Sequence, residues 1–251
     1  MNKRIFTLLS LFSISFLSAQ EKAYFLSNPS LSPDAKTAYF SFEGDIWKVD
    51  ANGGNASRIT ALEGEAINPR VSPDGKWLAF SSNQYGNYDV FVMPIDGGTI
   101  KQLTFHQGKD EMESWSWDSE TIYYTSTQNN NFGSFKTTLK GETPQPLFNH
   151  YFNTTNGLVE TPKGELIFTN SSESANQVTR KRYKGENNPD LLAYNPKSKT
   201  FKQYTDYNGK DFNATVDNNG IIYFISDENN GEYNLYKIEN DKKTALTKFD
   251  S

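Results

Sequence analysis

A polar tight turn followed by an apolar strand recurs along this chain. Its clearest copy is residues 71–82, V-S-P-D-G-K-W-L-A-F-S-S, in which S-P-D-G precedes W-L-A-F. Pro presets the backbone at the second turn position, Asp bonds locally and Gly accepts a positive φ, so S-P-D-G predicts a tight turn. The apolar and aromatic residues that follow the turn are typical of a β-strand. The same pairing occurs at residues 32–40, 116–124, 162–168 and 217–224.

The spacing of these copies predicts the fold. The aromatic residues at the strand centres are Phe40, Phe80, Tyr124, Phe168 and Phe224, which lie 40, 44, 44 and 56 residues apart. A repeat of about 40 to 45 residues that carries only β signals is typical of the blades of a β-propeller. We therefore predict an all-β chain that forms a β-propeller with four-stranded antiparallel blades, about five of which are visible.

Blade two shows the strand plan in full. Its strands are predicted at residues 67–71, 77–82, 88–94 and 99–104, with a D-G-G hairpin at residues 96–98. The same reasoning predicts blades at roughly 28–60, 67–104, 112–148, 155–205 and 212–247. The A-L-T at residues 245–247 repeats the Q-L-T that closes blade two. We expect the five blades to form an incomplete six-bladed ring.

Alternating strand directions sort the connections onto the two ends of the propeller. The S-P-D-G and D-G-G turns fall at one end. Longer and more varied loops fall at the other end, at residues 83–86, 105–112, 128–133 and 228–231. Such loops carry recognition more often than short turns do, so we expect binding at this second end.

Composition and charge exclude several functions. The chain has no Cys, which excludes disulfides, thiolate nucleophiles and Cys-based metal sites. Its 25 Lys and Arg residues against 30 Asp and Glu residues give a net charge of −5, which argues against a nucleic-acid partner. The 18 Phe and 14 Tyr residues suit half-buried strands.

The few candidate catalytic and metal-binding residues carry weak signals. The two histidines, His106 and His150, have neither a paired-His spacing nor a G-x-S-x-G elbow nearby. The acidic cluster Asp110, Glu111 and Glu113 is too small for calcium, which needs six or more oxygens, and is expected to be a solvated face. We therefore expect no metal and no cofactor, and we find no recognisable catalytic site within this chain.

Some polar residues recur at fixed places in the repeat. The aspartates of the turns are Asp34, Asp74 and Asp118. One active site needs only one carboxylate pair, so repetition in several blades indicates a turn residue and not a sugar hydrolase. Polar residues that begin third strands are Asp45, Asp89 and Asn234, and we expect them to bond neighbouring backbone amides. The four Trp residues are expected to fill space between blades.

The start of the chain has the pattern of a secretory leader. Lys3 and Arg4 precede an apolar run at residues 5–17, and small residues precede Gln20. The run is too short to span a bilayer. We predict a signal peptide at residues 1–19, a propeller at residues 20–251, no membrane anchor, and an exported protein that is periplasmic or secreted.

Blade four carries extra residues, which we place between positions 170 and 190. This stretch contains four cations within five positions, Arg180, Lys181, Arg182 and Lys184. One interpretation is a solvated β-hairpin with exposed basic side chains, because charge runs usually lie in water. The other is a clamp for a peptide carboxylate, because Arg suits bidentate recognition of such groups.

The motifs N-P-x-V-S-P-D-G-K-W-L-A-F-S-S, G-x-Y-D-V-F-V and D-G-G-x-x-x-Q-L-T resemble TolB-like propeller repeats. The order of blades, together with the basic stretch at residues 179–185 followed by P-D-L at 189–191, is similar to the N-terminal propeller of tricorn-like serine peptidases. The resemblance covers residues 24–249. It implies a longer modular peptidase in which later domains carry the active site, and in which this segment gives peptides access.

Two hypotheses follow. In the first, the chain is the propeller of an exported tricorn-like peptidase and its partners are peptides or unfolded protein segments. In the second, it is a non-catalytic propeller like that of TolB, which binds a protein partner or a second copy of itself. Whether the chain has enzyme activity of its own stays open at this point.

Overall fold

The computed structural model describes residues 26–129, 132–148 and 154–249. The predicted signal peptide at residues 1–19 and His150 lie outside the described residues. Within the described part of the chain, no helix has the length and apolar character needed to cross a membrane.

The chain folds into five four-stranded sheets. Blade 1 contains β1 (Ser27–Leu31), β2 (Thr37–Phe42), β3 (Asp45–Asp50) and β4 (Ser57–Arg58). Blade 2 contains β5 (Ala66–Val71), β6 (Trp77–Ser82), β7 (Asp89–Pro94) and β8 (Lys101–Gln102). Blade 3 contains β9 (Asp110–Trp115), β10 (Thr121–Ser126), β11 (Gly133–Thr138) and β12 (Gln145–Pro146). These three sheets account for the first half of the described chain.

The second half follows the same plan. Blade 4 contains β13 (Asn156–Glu160), β14 (Leu166–Thr169), β15 (Leu191–Asn195) and β16 (Thr200–Gln203). The helix α1 (Glu173–Asn176) lies between β14 and β15. Blade 5 contains β17 (Asp211–Val216), β18 (Ile222–Ser226), β19 (Asn234–Glu239) and β20 (Lys242–Ala245). Within each sheet, every strand pairs antiparallel with the next along the chain, which confirms a five-bladed propeller of four-stranded antiparallel blades.

The recurring turn holds its shape through its own side chains. In blade 2, the Ser72 hydroxyl donates to Asp74 at 2.6 Å and accepts the Trp77 amide at 3.0 Å. Asp74 also accepts the Lys76 amide at 3.0 Å. Gly75 takes a φ of 72°, the left-handed conformation that glycine adopts without strain. The turn aspartates are therefore fixed in local bonds, as the repetition of the motif predicts.

In four of the five blades, a threonine after the outer strand ties that strand to the third strand of the blade. In blade 1, the Thr60 hydroxyl donates to Asp45 at 2.8 Å and accepts the Ile46 amide at 2.8 Å. We call this arrangement a threonine bridge. The matching threonines are Thr104, Thr205 and Thr247, which bond Asp89, Asp190 and Asn234 in the same way. The expectation that Asp45, Asp89 and Asn234 bond neighbouring backbone amides is confirmed for Asn234, which accepts the Phe249 amide at 2.7 Å. For Asp45 and Asp89 it was wrong, because the threonine hydroxyl lies between the carboxylate and the backbone amide.

Four apolar layers join consecutive blades. The layer between blades 2 and 3 includes Val90, Val92, Met112, Ile122 and Phe135, all buried. Equivalent layers join blades 1 and 2, blades 3 and 4, and blades 4 and 5. Blade 2 is covered on both faces, since every residue of β6 and β7 except the terminal Trp77 and Pro94 is buried. Packing on both sides explains why these strands read as continuous apolar runs.

The terminal blades are covered on one face only. In β19 of blade 5, buried Tyr236 and Ile238 pack toward blade 4, while Leu235 on the opposite face is 39% exposed. In blade 1, Ile46 is buried against blade 2, while Leu31 is 57% exposed. Among the described residues, the apolar layers stop at blades 1 and 5, and no layer joins these two blades.

Two tryptophans also cross blade boundaries. The Trp115 indole donates to the Arg70 carbonyl in blade 2 at 2.9 Å, and the Trp117 indole donates to the Glu160 carbonyl in blade 4 at 2.6 Å. Trp47 donates to the Phe42 carbonyl within its own blade at 3.1 Å. Blade 3 is therefore fixed to both neighbours by hydrogen bonds as well as by apolar contact.

We predict that T60V destabilises the protein by about 2 kcal/mol, because Val leaves the buried Ile46 amide without an acceptor and Asp45 Oδ1 without a donor. Urea unfolding monitored by tryptophan fluorescence measures the change. The matched control is T99V, at an exposed threonine in the D-G-G hairpin of blade 2. Equal stability of T60V and T99V would show that the threonine bridge contributes nothing.

Candidate functional site

The extra residues of blade 4 form a compact insertion at residues 170–190, between β14 and β15. We call this segment the blade-four insertion. It contains α1 and turns and, over its described residues, no strand, so the expected β-hairpin was wrong. The reason is that its hydrogen bonds run to blade 5 and to the core of blade 4. Tyr233 of blade 5, for example, donates its hydroxyl hydrogen toward the carbonyls of Val178 at 2.6 Å and Arg180 at 3.2 Å.

A fully buried lysine anchors the insertion from below. The Lys210 side chain is 0% exposed, and its ammonium lies 3.3 Å from the Glu173 carboxylate at the start of α1. The same ammonium donates to the Gln177 carbonyl just beyond the helix. A buried charge is tolerated only when it is paired and hydrogen-bonded, and these contacts meet that requirement.

A buried aspartate fixes the backbone of the basic stretch. One Asp227 oxygen accepts the Lys210 amide at 2.8 Å, and the other accepts the Arg182 amide at 2.9 Å. Arg182 has a φ of 61°, which a non-glycine residue adopts only when its surroundings impose it. Asp227 therefore holds Arg182 in a left-handed conformation over blade 5.

The four cations predicted as a candidate site lie together, and three of them form ion pairs. Arg180 pairs with Glu173, and both Lys181 and Arg182 pair with Glu232 of blade 5. These bonds, above all the one from Lys181, lower the pKa of Glu232. The side chains of Arg180, Lys181 and Arg182 remain about half exposed, at 48%, 46% and 59%.

Each of these two carboxylates is shared between two cations. Glu173 faces Arg180 and Lys210, and Glu232 faces Lys181 and Arg182. Lys184 adds a further positive charge and forms no ion pair within the described structure. Residues 170–190 carry the four cations of the basic stretch against three carboxylates, those of Glu173, Glu186 and Asp190, so the insertion has a net charge of +1 on an acidic protein.

A cavity of about 270 Å³ lies between the insertion and blade 5. Its walls are formed by Arg182, Lys184, Tyr207, Glu228, Asn230 and Gly231. The Glu228 carboxylate is already paired with Lys243 at 2.6 Å. Arg182 is likewise paired with Glu232, so Lys184 is the cation of this lining that has no ion pair within the described structure. The cavity therefore presents one unpaired ammonium beside a paired guanidinium, a setting that suits an anionic group.

A glycine makes room for one of these basic side chains. Gly231 has a φ of 72°, and a Cβ at this position would meet the Arg182 side chain, at 2.7 Å from Nε. Arg182 can therefore lie flat on the loop of blade 5 only because residue 231 has no side chain.

The acidic cluster at the start of blade 3 differs from the expected solvated face. Glu113 accepts the amides of Gly157 and Leu158 in blade 4 at 2.6 and 3.0 Å, and also bonds Thr125. Burial raises its pKa to about 7. Asp110 is 1% exposed, and burial raises its pKa to about 6. The expectation was wrong because the innermost strand of a blade faces its neighbours and not solvent.

Sequence reasoning found the basic residues but missed the groups that hold them. Glu173, Lys210, Asp227 and Glu232 come from two blades and lie up to 59 positions apart in the chain. No local motif marks them. Only the occurrence of Lys210 directly before the buried strand β17 hints at a buried cation. Among the described residues, no three His, Cys, Asp or Glu side chains are grouped closely enough to hold a metal ion.

Glu113 predicts a pH dependence of stability. Its pKa rises from the ordinary value of 4.5 to about 7 on folding, so the native protein binds more protons than the unfolded chain between these values. The free energy of unfolding should therefore fall as pH rises through this window, by up to about 3 kcal/mol from this group. Urea unfolding of wild type and E113Q from pH 4 to 8 measures the difference in slope. Identical slopes would contradict the assignment.

Comparisons with known proteins identify the fold family. Residues 23–251 match the family described as the tricorn protease N-terminal beta propeller domain. A segment of 64 residues is 34% identical to tricorn protease homolog 1 of Streptomyces coelicolor, and covers 26% of this chain and 6% of that protein. Another of 57 residues is 39% identical to a protein TolB homolog of Chlorobium luteolum, and covers 22% of this chain and 13% of that protein. The match thus spans a small part of the curated relatives.

Solved structures show the same architecture. The putative TolB from Agrobacterium tumefaciens superimposes with a TM-score of 0.73 at 17% identity, over 88% of this chain and 80% of that one. The tricorn protease superimposes with a TM-score of 0.73 at 18% identity, over 91% of this chain and 23% of that one. At these identities the structures support the fold, and the family match over residues 23–251 decides the membership. The chain belongs to the tricorn protease N-terminal β-propeller family.

Proposed function

We propose that this chain is the N-terminal propeller of an exported tricorn-like serine peptidase. In this role it binds peptides or unfolded protein segments and controls their access, while other domains of the protein carry out proteolysis. The observation that carries the proposal is the positive cavity at the blade-four insertion, in a chain whose family is the propeller of a peptidase. The cavity lies at the end of the propeller that carries the longer loops.

The proposed ligand group at this cavity is the C-terminal carboxylate of a peptide. Arg182 and Lys184 line the cavity, and we assign them direct contact with the carboxylate. Arg180 and Lys181 contribute positive charge from the adjacent ion pairs. Because Asp227 and Glu232 hold Arg182 in place, little side-chain entropy is lost when a ligand binds.

The proposal includes a sixth sector of the ring, between blades 5 and 1. This sector is supported by the uncovered apolar faces of blades 5 and 1. Leu235 is exposed on blade 5, and Leu31 is exposed on blade 1. Between consecutive blades, the apolar faces of the described strands are covered by a neighbouring sheet. A structure of the complete protein in which blades 5 and 1 touch directly would contradict a sixth sector.

We expect the double variant R182A/K184A to bind peptides with a free C-terminal carboxylate at least tenfold more weakly, since it removes both charges that line the cavity. Binding of the same peptides with a C-terminal amide should change less than twofold. Fluorescence anisotropy with labelled pentapeptides measures both affinities.

The matched control for this experiment is R180A. Arg180 belongs to the same basic stretch but pairs with Glu173 and does not line the cavity. It should reduce carboxylate binding much less than R182A/K184A does. Equal losses for acid and amide peptides, or for the control and the double variant, would reject the carboxylate site.

A second candidate function is favoured by one observation. The chain covers 80% of the putative TolB from Agrobacterium tumefaciens, so a propeller of similar size exists outside a large peptidase. On this alternative the chain acts as a non-catalytic binding propeller that holds a protein partner through one end. Affinity capture from the periplasmic fraction of the source organism, with the tagged protein, tests it. Stoichiometric recovery of one partner would favour this function, and its absence under conditions that retain peptide binding would count against it.

A further inference from the structure

A second cavity, of about 420 Å³, lies between blades 2 and 3 and is separate from the blade-four insertion. One wall is the connection from β8 to β9, which includes Thr104, Phe105 and His106. Asp110 at the start of β9 and Gln128 after β10 contribute to the lining, and the hairpin before β12 closes the other side through Glu142. The carboxylate-site proposal makes no use of this cavity.

Asp110 lines this cavity, and its carboxylate includes one buried oxygen without a hydrogen-bond partner in the described part of the chain. Asp110 is 1% exposed, and its amide donates to the Tyr88 carbonyl at 2.7 Å. Its Oδ1 is buried and has no partner of good hydrogen-bond geometry among the described residues, although the hydroxyls of Ser126 and Thr104 lie near enough to lower the pKa of the carboxyl against the effect of burial. A buried carboxylate oxygen without a donor is costly, so a cavity beside it is a natural place for a cationic ligand.

The neighbouring polar groups are already engaged. The Asp89 carboxylate accepts the Thr104 hydroxyl at 3.1 Å through one oxygen and the Gln102 side-chain amide at 3.0 Å through the other. His106 Nδ1 accepts the Gly108 amide at 2.9 Å. Asp110 is therefore the buried carboxylate at this cavity that keeps an oxygen without a partner, whereas Glu142, which also lines the cavity, is exposed to solvent.

The chemistry of the lining favours an ammonium ion over a metal. Within the described structure, no three His, Cys, Asp or Glu side chains come together, whereas a metal ion would need several such ligands. A primary ammonium needs one carboxylate and can donate its other hydrogens to neutral oxygens. Phe105 at the rim is 74% exposed and offers an apolar surface for a chain attached to the ammonium.

We propose that this cavity binds the primary ammonium group of a peptide, with the Asp110 carboxylate as its acceptor and the apolar chain of the ligand against Phe105. Within a peptide, such an ammonium group occurs at the N-terminal α-amino group and on a lysine side chain. The statement that the ammonium belongs to a peptide rests on the proposed peptide-binding function. The statement that the ligand carries an ammonium group rests on the cavity alone.

The walls of the cavity are held rigidly. Gly108 packs so closely on the next loop that a Cβ there would lie 2.7 Å from the Gln128 nitrogen. Gln128 is bonded in turn by its amide to the Ser126 hydroxyl at 3.2 Å. A rigid site loses little entropy when it binds a small ligand.

Several charged or titratable groups surround Asp110. They are Asp89 on β7, His106 in the connection, Tyr124 on β10 and Glu142 in the hairpin, with Lys101 beyond them. The Lys101 ammonium is used by the carbonyls of Leu139 and Lys140, at 2.8 and 3.0 Å. Since burial raises the pKa of Asp110 to about 6, the carboxylate is ionised at neutral pH. Binding should weaken below about pH 6, and also above about pH 8, where an α-amino group loses its proton.

Isothermal titration of the purified protein with phenylalanyl-alanine amide tests the proposal. This probe has a free α-amino group and no carboxylate, so its binding does not depend on Arg182 or Lys184. We expect wild type to bind it at least tenfold more tightly than its N-acetyl form. Nα-acetyl-lysine amide, as a third ligand, separates a lysine ammonium from an α-amino group.

The decisive variant is D110N, which keeps the shape of the side chain and removes its charge. It should weaken binding of the free amine at least tenfold. The matched control is D211N, because Asp211 begins β17 as Asp110 begins β9 and is also buried with unpartnered oxygens, but lies in blade 5. Equal binding of free and acetylated probes, or equal losses in D110N and D211N, would overturn the ammonium site. Loss of carboxylate binding alone would leave it standing.

Discussion

Each sheet of this propeller is stable only because a neighbouring sheet covers its apolar face. A single four-stranded sheet exposes two faces to water, and one buried Phe contributes about 2 to 3 kcal/mol through the area it removes from solvent. Phe80 and Phe91, paired across β6 and β7, are both almost completely buried in the layer between blades 1 and 2. The stability of each described blade therefore depends on the blade packed beside it.

The polar network serves this packing. Threonine bridges, turn aspartates and the indoles of Trp115 and Trp117 satisfy the backbone groups that the apolar layers would otherwise bury without partners. Glu113 accepts the amides of Gly157 and Leu158 and so satisfies two further backbone groups. This role places its carboxylate in a buried position, where burial disfavours the ionised form. The blade-four insertion repeats this solution on a larger scale, with Lys210 and Asp227 buried beneath a surface of paired charges.

The repeat made the fold predictable from the sequence. Turn motifs such as S-P-D-G and aromatic strand centres such as Phe80 are local, so their period reveals the blades and the strand order within each. The site was only half predictable. Arg180 to Lys184 are visible as a run of charge, but Glu232 and Asp227, which decide where those cations point, belong to another blade. Asp110 was misjudged for the same reason, because its burial depends on the connection from β8 and not on its own neighbours in the chain.

The close contact between Gly231 and Arg182 ties two distant positions of the chain together. A residue with a side chain at position 231 would displace the Arg182 side chain from the loop of blade 5. An arginine at position 182 would then no longer line the cavity. In homologous sequences the two positions should therefore vary jointly, with glycine at 231 wherever arginine occupies 182. That covariation would mark which members of the family have retained the basic pocket.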